Sequence, residues 1–222
     1  MTTVAAIAEA AAAVRGRILA AGGDPQRVRL LAVTKGHPAA VIAAAADAGL
    51  LDLGESYAQE LTAKADAMDR GDVRWHFIGG LQRNKVRQIA RFVHLWQSVD
   101  RLPLAAEIAR HVPGASVLVQ VNVTGLEHQS GCPPERVPAI VEGCADLGLE
   151  VRGLMAIGPQ GPEATVRAAF GTVRELADRM GLPERSMGMS SDLEAAVAEG
   201  STMVRVGTAL FGPRGNTSGV GQ

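Results

Sequence analysis

The side chains with the most chemistry in this sequence sit where short apolar runs break into small-residue turns. The run LLAV (30–33) closes on Thr34-Lys35 and then Gly36-His37-Pro38, which places an amine at its end. The stretch 186–212, SMGMSSDLEAAVAEGSTMVRVGTALFG, holds two more such ends. MGMSSD reads as a strand feeding a helix start at Ser190 to Asp192, and TMVRVGTALFG as a strand feeding a second helix start at Gly207 and Thr208. Both turns combine hydroxyls with the unpaired N–H groups of a first helical turn, a donor set that suits an anion such as phosphate. Arg205 alternates with Val204 and Val206, so in a strand the valines face one way and the guanidinium the other. A partly desolvated lysine at such a rim can condense with a carbonyl; the plainer alternative is an amine extended into water.

The elements that must position these groups follow from residue 28 onward. Eight short apolar runs alternate with helix-favouring, alanine-rich segments: 28–35, 50–55, 73–79, 92–99, 115–123, 151–158, 185–190 and 202–207. This alternation predicts a single-domain α/β fold, a TIM-type (β/α)8 barrel with an extra N-terminal helix. An open doubly wound sheet would give similar alternation, but no GxGxxG follows the first run. In a barrel, sites gather at the C-terminal strand ends and phosphates bind after strands seven and eight, which is where Ser190, Gly207 and Thr208 fall. Closure also sets strand one beside strand eight, about 4.8 Å away. Lys35 then faces the anion turns, and a ligand carrying a carbonyl and a phosphate would bridge them. Inside a barrel Arg205 needs an acceptor. A pyridine-type nitrogen is one, and an arginine donating to it keeps it unprotonated and weakens the ring as an electron sink. A carboxylate on an outer helix is the other partner open to it.

Composition narrows the function classes. The 222 residues carry 22 basic and 23 acidic side chains, a formal net charge of −1, so neither a nucleic-acid stripe nor a polybasic membrane patch is expected. Cys132 and Cys144 lack metal-type spacing, the five histidines form no ligand pattern, and no GxSxG is present. No metal is therefore expected. The N-terminus lacks an initial positive charge, and Glu9, Arg15 and Arg17 interrupt its apolar stretch; Val4, Ile7, Ala11, Val14 and Ile18 make the stripe of an amphipathic helix. These features point to a cytoplasmic protein. His76 reads either as a cofactor contact at the barrel top or as a satisfied core histidine.

The blocks LLAVTK, LGESYAQE, WHFIGGLQRNK, VNV, RGLMAI and SMGMSSDLEAAVAEGSTMVRVGTALFG, in this order, resemble the pyridoxal phosphate homeostasis protein family, the YggS or PROSC type. The resemblance implies a barrel over residues 1–214, similar to the alanine racemase N-terminal domain; the polar, glycine-rich composition of 215–222 makes it an expected flexible tail. It implies that Lys35 holds pyridoxal 5′-phosphate (PLP) as an internal aldimine, that Ser190, Gly207 and Thr208 bind its phosphate, that Arg205 faces the ring nitrogen, and that Ser56 lies near the cofactor. Two departures stand out: Ser56 replaces an asparagine of the family pattern GENY, and Gln129 stands where relatives commonly carry a lysine. The loop 122–131, with Gly125 and Gly131 and followed by Pro133 and Pro134, is expected to be a mobile cover.

Three functions compete: PLP homeostasis by reversible binding and delivery to apo PLP-enzymes, amino-acid racemisation, and a lysine-dependent aldolase reaction on a sugar phosphate. A racemase needs a second base opposite Lys35. The sole tyrosine, Tyr57, at the start of the second barrel helix, and the absence of a second domain favour a carrier, a monomer without catalytic residues or established turnover.

Overall fold

Apolar runs and the alanine-rich, helix-forming segments between them resolve into eight parallel strands closed in sequential order, β1 to β8, each followed by a helix. The structure, a computed structural model, describes residues 3–68, 70–126 and 128–213. The barrel is preceded by α1 (Val4–Ala20) and runs β1 (Arg29–Val33), α2 (Ala39–Asp47), β2 (Asp52–Glu55), α3 (Ala58–Ala67), β3 (Arg74–Phe77) and α4 (Arg83–Ile89). It continues with β4 (Val93–Val99), α5 (Leu102–His111), β5 (Ser116–Val121), α6 (Val137–Asp146), β6 (Glu150–Ala156) and α7 (Glu163–Arg179). The last units are β7 (Glu184–Ser186), α8 (Leu193–Ala198), β8 (Met203–Val206) and α9 (Thr208–Phe211). The expected (β/α)8 barrel with an extra N-terminal helix is thus the observed fold, and the open-sheet alternative falls with closure of β1 onto β8.

Strand parity divides the core in two. Leu31, Leu95, Leu118, Met155 and Met203 fill the barrel interior. Leu30, Ala32, Val204 and Val206 point outward into the larger layer between strands and helices. The seventh strand is shorter than the run 185–190 suggested. Gly188 takes φ 90°, a left-handed conformation that ends regular pairing, and a Cβ there would come 2.5 Å from Ala196 Cβ. The turn to α8 therefore starts early.

Helix α1 opens with Thr3 Oγ1 accepting from Ala6 N at 3.2 Å. It buries Ile7, Ala11, Val14 and Ile18 and packs on α2, α8 and α9, covering the outside of the β8–β1 closure. Val4, expected in the same stripe, is 40% exposed in the first turn. Among the described residues no helix is long and apolar enough to cross a membrane. The boundary at 214 and the tail 215–222 lie outside the described residues. Because Ile18 is fully buried, Ile18→Ala should lower unfolding stability by about 3 kcal/mol with an unchanged denaturant slope; a midpoint equal to that of the parent chain would mean the helix is not docked.

Candidate functional site

The closure of β8 on β1 assembles the rim. Four residue pairs, from Arg29↔Met203 to Ala32↔Val206, hold the two strands in parallel register. Beyond them Gly207 approaches so closely that a Cβ would sit 3.1 Å from Val33 O. The next residues start α9, in which Leu210 N and Phe211 N donate to Gly207 O while the N–H groups of Thr208 and Ala209 precede the first intrahelical bond. Phe211 of α9 packs against His37, ring centroids 5.2 Å apart, so the turn after Lys35 and the turn after β8 lean on each other. On the other flank Arg205 N donates to Gly188 O at 2.9 Å, and Arg17 Nη2 of α1 reaches Ser190 O at 2.9 Å while its guanidinium grips Glu194. Ser190 and Gly207 are half-buried and Thr208 is exposed. Asp192, at the start of α8, accepts from Met189 N at 2.6 Å and makes no capping bond to that helix.

Lys35 lies two residues past β1, on the parity of Leu31, and is half-buried. Its backbone is held by a cluster that the sequence reading missed. Thr34 N continues the ladder to Gly54 O at 3.0 Å, and Thr34 Oγ1 donates to Glu55 Oε1 at 2.6 Å. The buried Lys64 Nζ donates to Thr34 O (2.9 Å), Glu55 Oε1 (2.7 Å) and Glu60 Oε2 (2.7 Å), while Gly36 N donates to the same Glu60 oxygen at 2.8 Å. Burial pushes the Glu55 carboxyl up from its ordinary range, with Lys64 and Thr34 opposing. Lys64 falls in a helix as one more lysine among alanines, and only its spacing of four from Glu60 hinted at a partner.

Arg205 is 4% exposed and on the interior parity with Met203, as alternation required. Its guanidinium donates to Ser186 O (2.6 Å), Ser186 Oγ (2.8 Å) and Ala156 O (2.7 Å) and, among the described residues, forms no ion pair. The outer-helix carboxylate is thereby excluded. Burial pushes its pKa down to about 10, with Asp192 opposing, so it remains cationic near neutrality. A buried cation at the strand ends, an amine-bearing strand beside it and hydroxyl-and-glycine turns alongside form a donor set that fits an anionic, nitrogen-containing aromatic aldehyde.

Other candidates are placed differently. Ser56 is half-buried on the next turn of the rim, in a groove shared with Gln82 and Lys85. His76 is a satisfied core histidine, fully buried between Asp52 and Gln97, and not a rim group. The expected cover after β5 is cross-linked by Asn122: Nδ2 donates to Leu126 O and Gln129 O, and Oδ1 accepts from Thr124 and Gly125. Gln129 Oε1 accepts from Thr124 Oγ1 at 2.8 Å. Cys132 and Cys144 are free and buried, and burial pushes each thiol up to about 11. Among the described residues no cluster suits a metal ion.

Fold and rim together define the class: the sequence profile described as "Alanine racemase, N-terminal domain" matches residues 4–215. Within that class the chain belongs to the pyridoxal phosphate homeostasis protein family. The relative of that name in Pseudomonas aeruginosa is 47% identical, covering 96% of this chain and 97% of its own, and that of Escherichia coli K12 is 40% identical, covering 94% and 97%. Among solved structures, PipY of Synechococcus elongatus superposes with a TM-score of 0.83 without PLP (38% identical, 93% of this chain, 100% of that chain) and 0.79 with PLP bound (37%, with the same shares).

The Lys64 cluster yields a test with a defined sign. Lys64→Met leaves Glu55 buried without its cation, which should cost about 3 kcal/mol at neutral pH. The folded-state pKa of Glu55, already raised, then rises further above its unfolded value, and the stability tied to that proton is present at low pH and lost as pH rises. Urea titrations should show the gap from the parent chain narrowing on acidification; a gap independent of pH would contradict this role.

Proposed function

We propose that the chain binds PLP at the β8–β1 rim and serves PLP homeostasis, taking up the coenzyme reversibly and releasing it to apo PLP-enzymes. The observation that carries this reading is Arg205: a buried cation held by neutral oxygens at the strand ends, beside the strand that presents Lys35. Bound PLP supplies an aldehyde that condenses with an amine. Lys35 provides that amine, Arg205 meets the ring nitrogen as a donor, and Ser190, Gly207 and Thr208 hold the phosphate through hydroxyls and N–H groups. Ser56 stands on the adjoining turn after β2, in the groove with Gln82 and Lys85. An arginine at that nitrogen keeps it unprotonated and so restrains carbanion chemistry, which suits a carrier better than a catalyst.

The names of the relatives and the PLP-bound PipY support this reading. A racemase would need a second enclosed base; Tyr57, the sole tyrosine, is 58% exposed at the start of α3. Two free buried thiols fit a reducing cytoplasm, where the chain would act as a monomer.

The test is direct. Supplied with PLP, the purified protein should turn yellow, and borohydride followed by peptide mass spectrometry should find the adduct on Lys35. Lys35→Ala should abolish the visible band and retain weak, phosphate-anchored binding. A colourless protein, or an adduct on another lysine, would refute the assignment. Incubation with L-alanine or L-serine should give no sustained formation of the D-enantiomer; steady turnover would replace the carrier by an enzyme.

A further inference from the structure

A line of buried polar side chains runs from Arg205 through the barrel interior to the N-terminal end of β2. Arg205 Nη1 donates to Ser186 Oγ at 2.8 Å, and Ser186 Oγ lies 2.7 Å from Gln97 Oε1. Gln97 Nε2 lies 2.8 Å from His76 Nδ1, and His76 Nε2 lies 3.0 Å from Asp52 Oδ1. Arg74 closes the line with Nε 2.9 Å from Asp52 Oδ1 and Nη2 2.7 Å from Oδ2. Ser186, Gln97 and His76 are fully buried.

With His76 neutral, the protons have one arrangement. Burial raises the Asp52 carboxyl, but the bonds from His76 and Arg74 outweigh it and hold the group well below the usual range, so Asp52 is an ionised acceptor. Burial likewise depresses His76, with Asp52 opposing and His94, its ring 5.9 Å away, and Arg29 adding to the depression. Neutral His76 facing a carboxylate carries its proton on Nε2 and accepts at Nδ1. Gln97 then turns its NH2 to His76 and its carbonyl to Ser186, whose hydroxyl donates to Gln97 and accepts from Arg205. Reversing one member sets donor against donor or acceptor against acceptor in a dry interior.

We propose that Asp52, His76, Gln97 and Ser186 are positioning residues for Arg205: a hydrogen-bond chain of single polarity that ties its guanidinium to a carboxylate at the other end of the barrel. The chain fixes how Arg205 is presented to the ring and offsets part of its charge there. This rests on the PLP reading for the identity of the ring, while the chain itself belongs to the ligand-free protein. Without the Asp52 charge at its far end the line no longer offsets the guanidinium, on which Asp192 also acts, so the potential at the ring becomes more positive and a proton on the Lys35 adduct is released at lower pH.

Two measurements on the full chain separate the claims. In nitrogen-15 NMR of the ligand-free protein, His76 should be the Nε2–H tautomer and should stay neutral through the ordinary histidine range. In Gln97→Leu, Asp52 should keep that tautomer, while the Nδ1 signal should move on losing its donor and the Arg205 guanidinium signals should move with it. A parent His76 that titrates or exchanges tautomers overturns the proposal whatever the ligand. In the PLP-loaded protein, Asp52→Asn, which keeps an acceptor but removes the charge, should lower the pH midpoint of the visible band by about half a unit, and Gln97→Leu and His76→Phe, which break the line but leave Asp52 ionised, should shift it the same way by less. Midpoints equal to the parent in all three overturn the proposal as well. A parent chain that takes up no PLP sinks the functional reading instead, and the NMR result then decides the chain alone.

Discussion

The close approach of β8 to β1 is the constraint on which the rim depends. Lys35 and Gly207 are separated by most of the sequence, and only barrel closure makes them neighbours. Parallel strands need crossover connections, so this contact is made last along the chain and joins the first strand to the eighth. Gly207 permits it, since any side chain there would press on the Val33 carbonyl. Helix α1 then covers the outside of the seam, and Arg17 clamps the β7–α8 turn through Ser190 O and Glu194. The extra helix that precedes the barrel therefore supports the turn on which Ser190 lies.

Two buried cations flank the seam, and the structure treats them in opposite ways. Lys64 is neutralised locally by Glu55 and Glu60 and spends its third proton on Thr34 O, which stiffens the turn that bears Lys35. Among the described residues Arg205 has no carboxylate in contact, only neutral oxygens and a relay to Asp52. Buried charges are costly and are a poor source of stability. With a pKa of about 10, Arg205 is still protonated by roughly a thousandfold at neutral pH, so the guanidinium form wins over desolvation.

How much of this could be read from residues alone divides along the range of the interactions. Eight strands, their order and the inward face of Arg205 were legible because alternation and turn residues are local signals. The shortening of β7 was not, because Gly188, with its positive φ and no room for a Cβ beside Ala196, answers to a contact across a turn. His76 stayed open between a rim contact and a core histidine because its own strand cannot reveal that Asp52 and Gln97, on β2 and β4, satisfy both ring nitrogens. Lys64 stayed hidden for the same reason: its partners are brought together by the β2–α3 unit packing on β1. Ser56 and Gln129 were flagged only through the resemblance, and the structure gives Gln129 a structural task within its loop.

The central claim is that one amine, one buried guanidinium and one pair of turns grip a single molecule of PLP across the β8–β1 seam. A crystal structure of the protein grown with PLP tests it most directly. The expected density is continuous from Lys35 Nζ into the ring, with the ring nitrogen against Arg205 and the phosphate over Ser190, Gly207 and Thr208. PLP bound elsewhere, or a phosphate remote from the turn at Gly207 with Arg205 facing only protein, would contradict it.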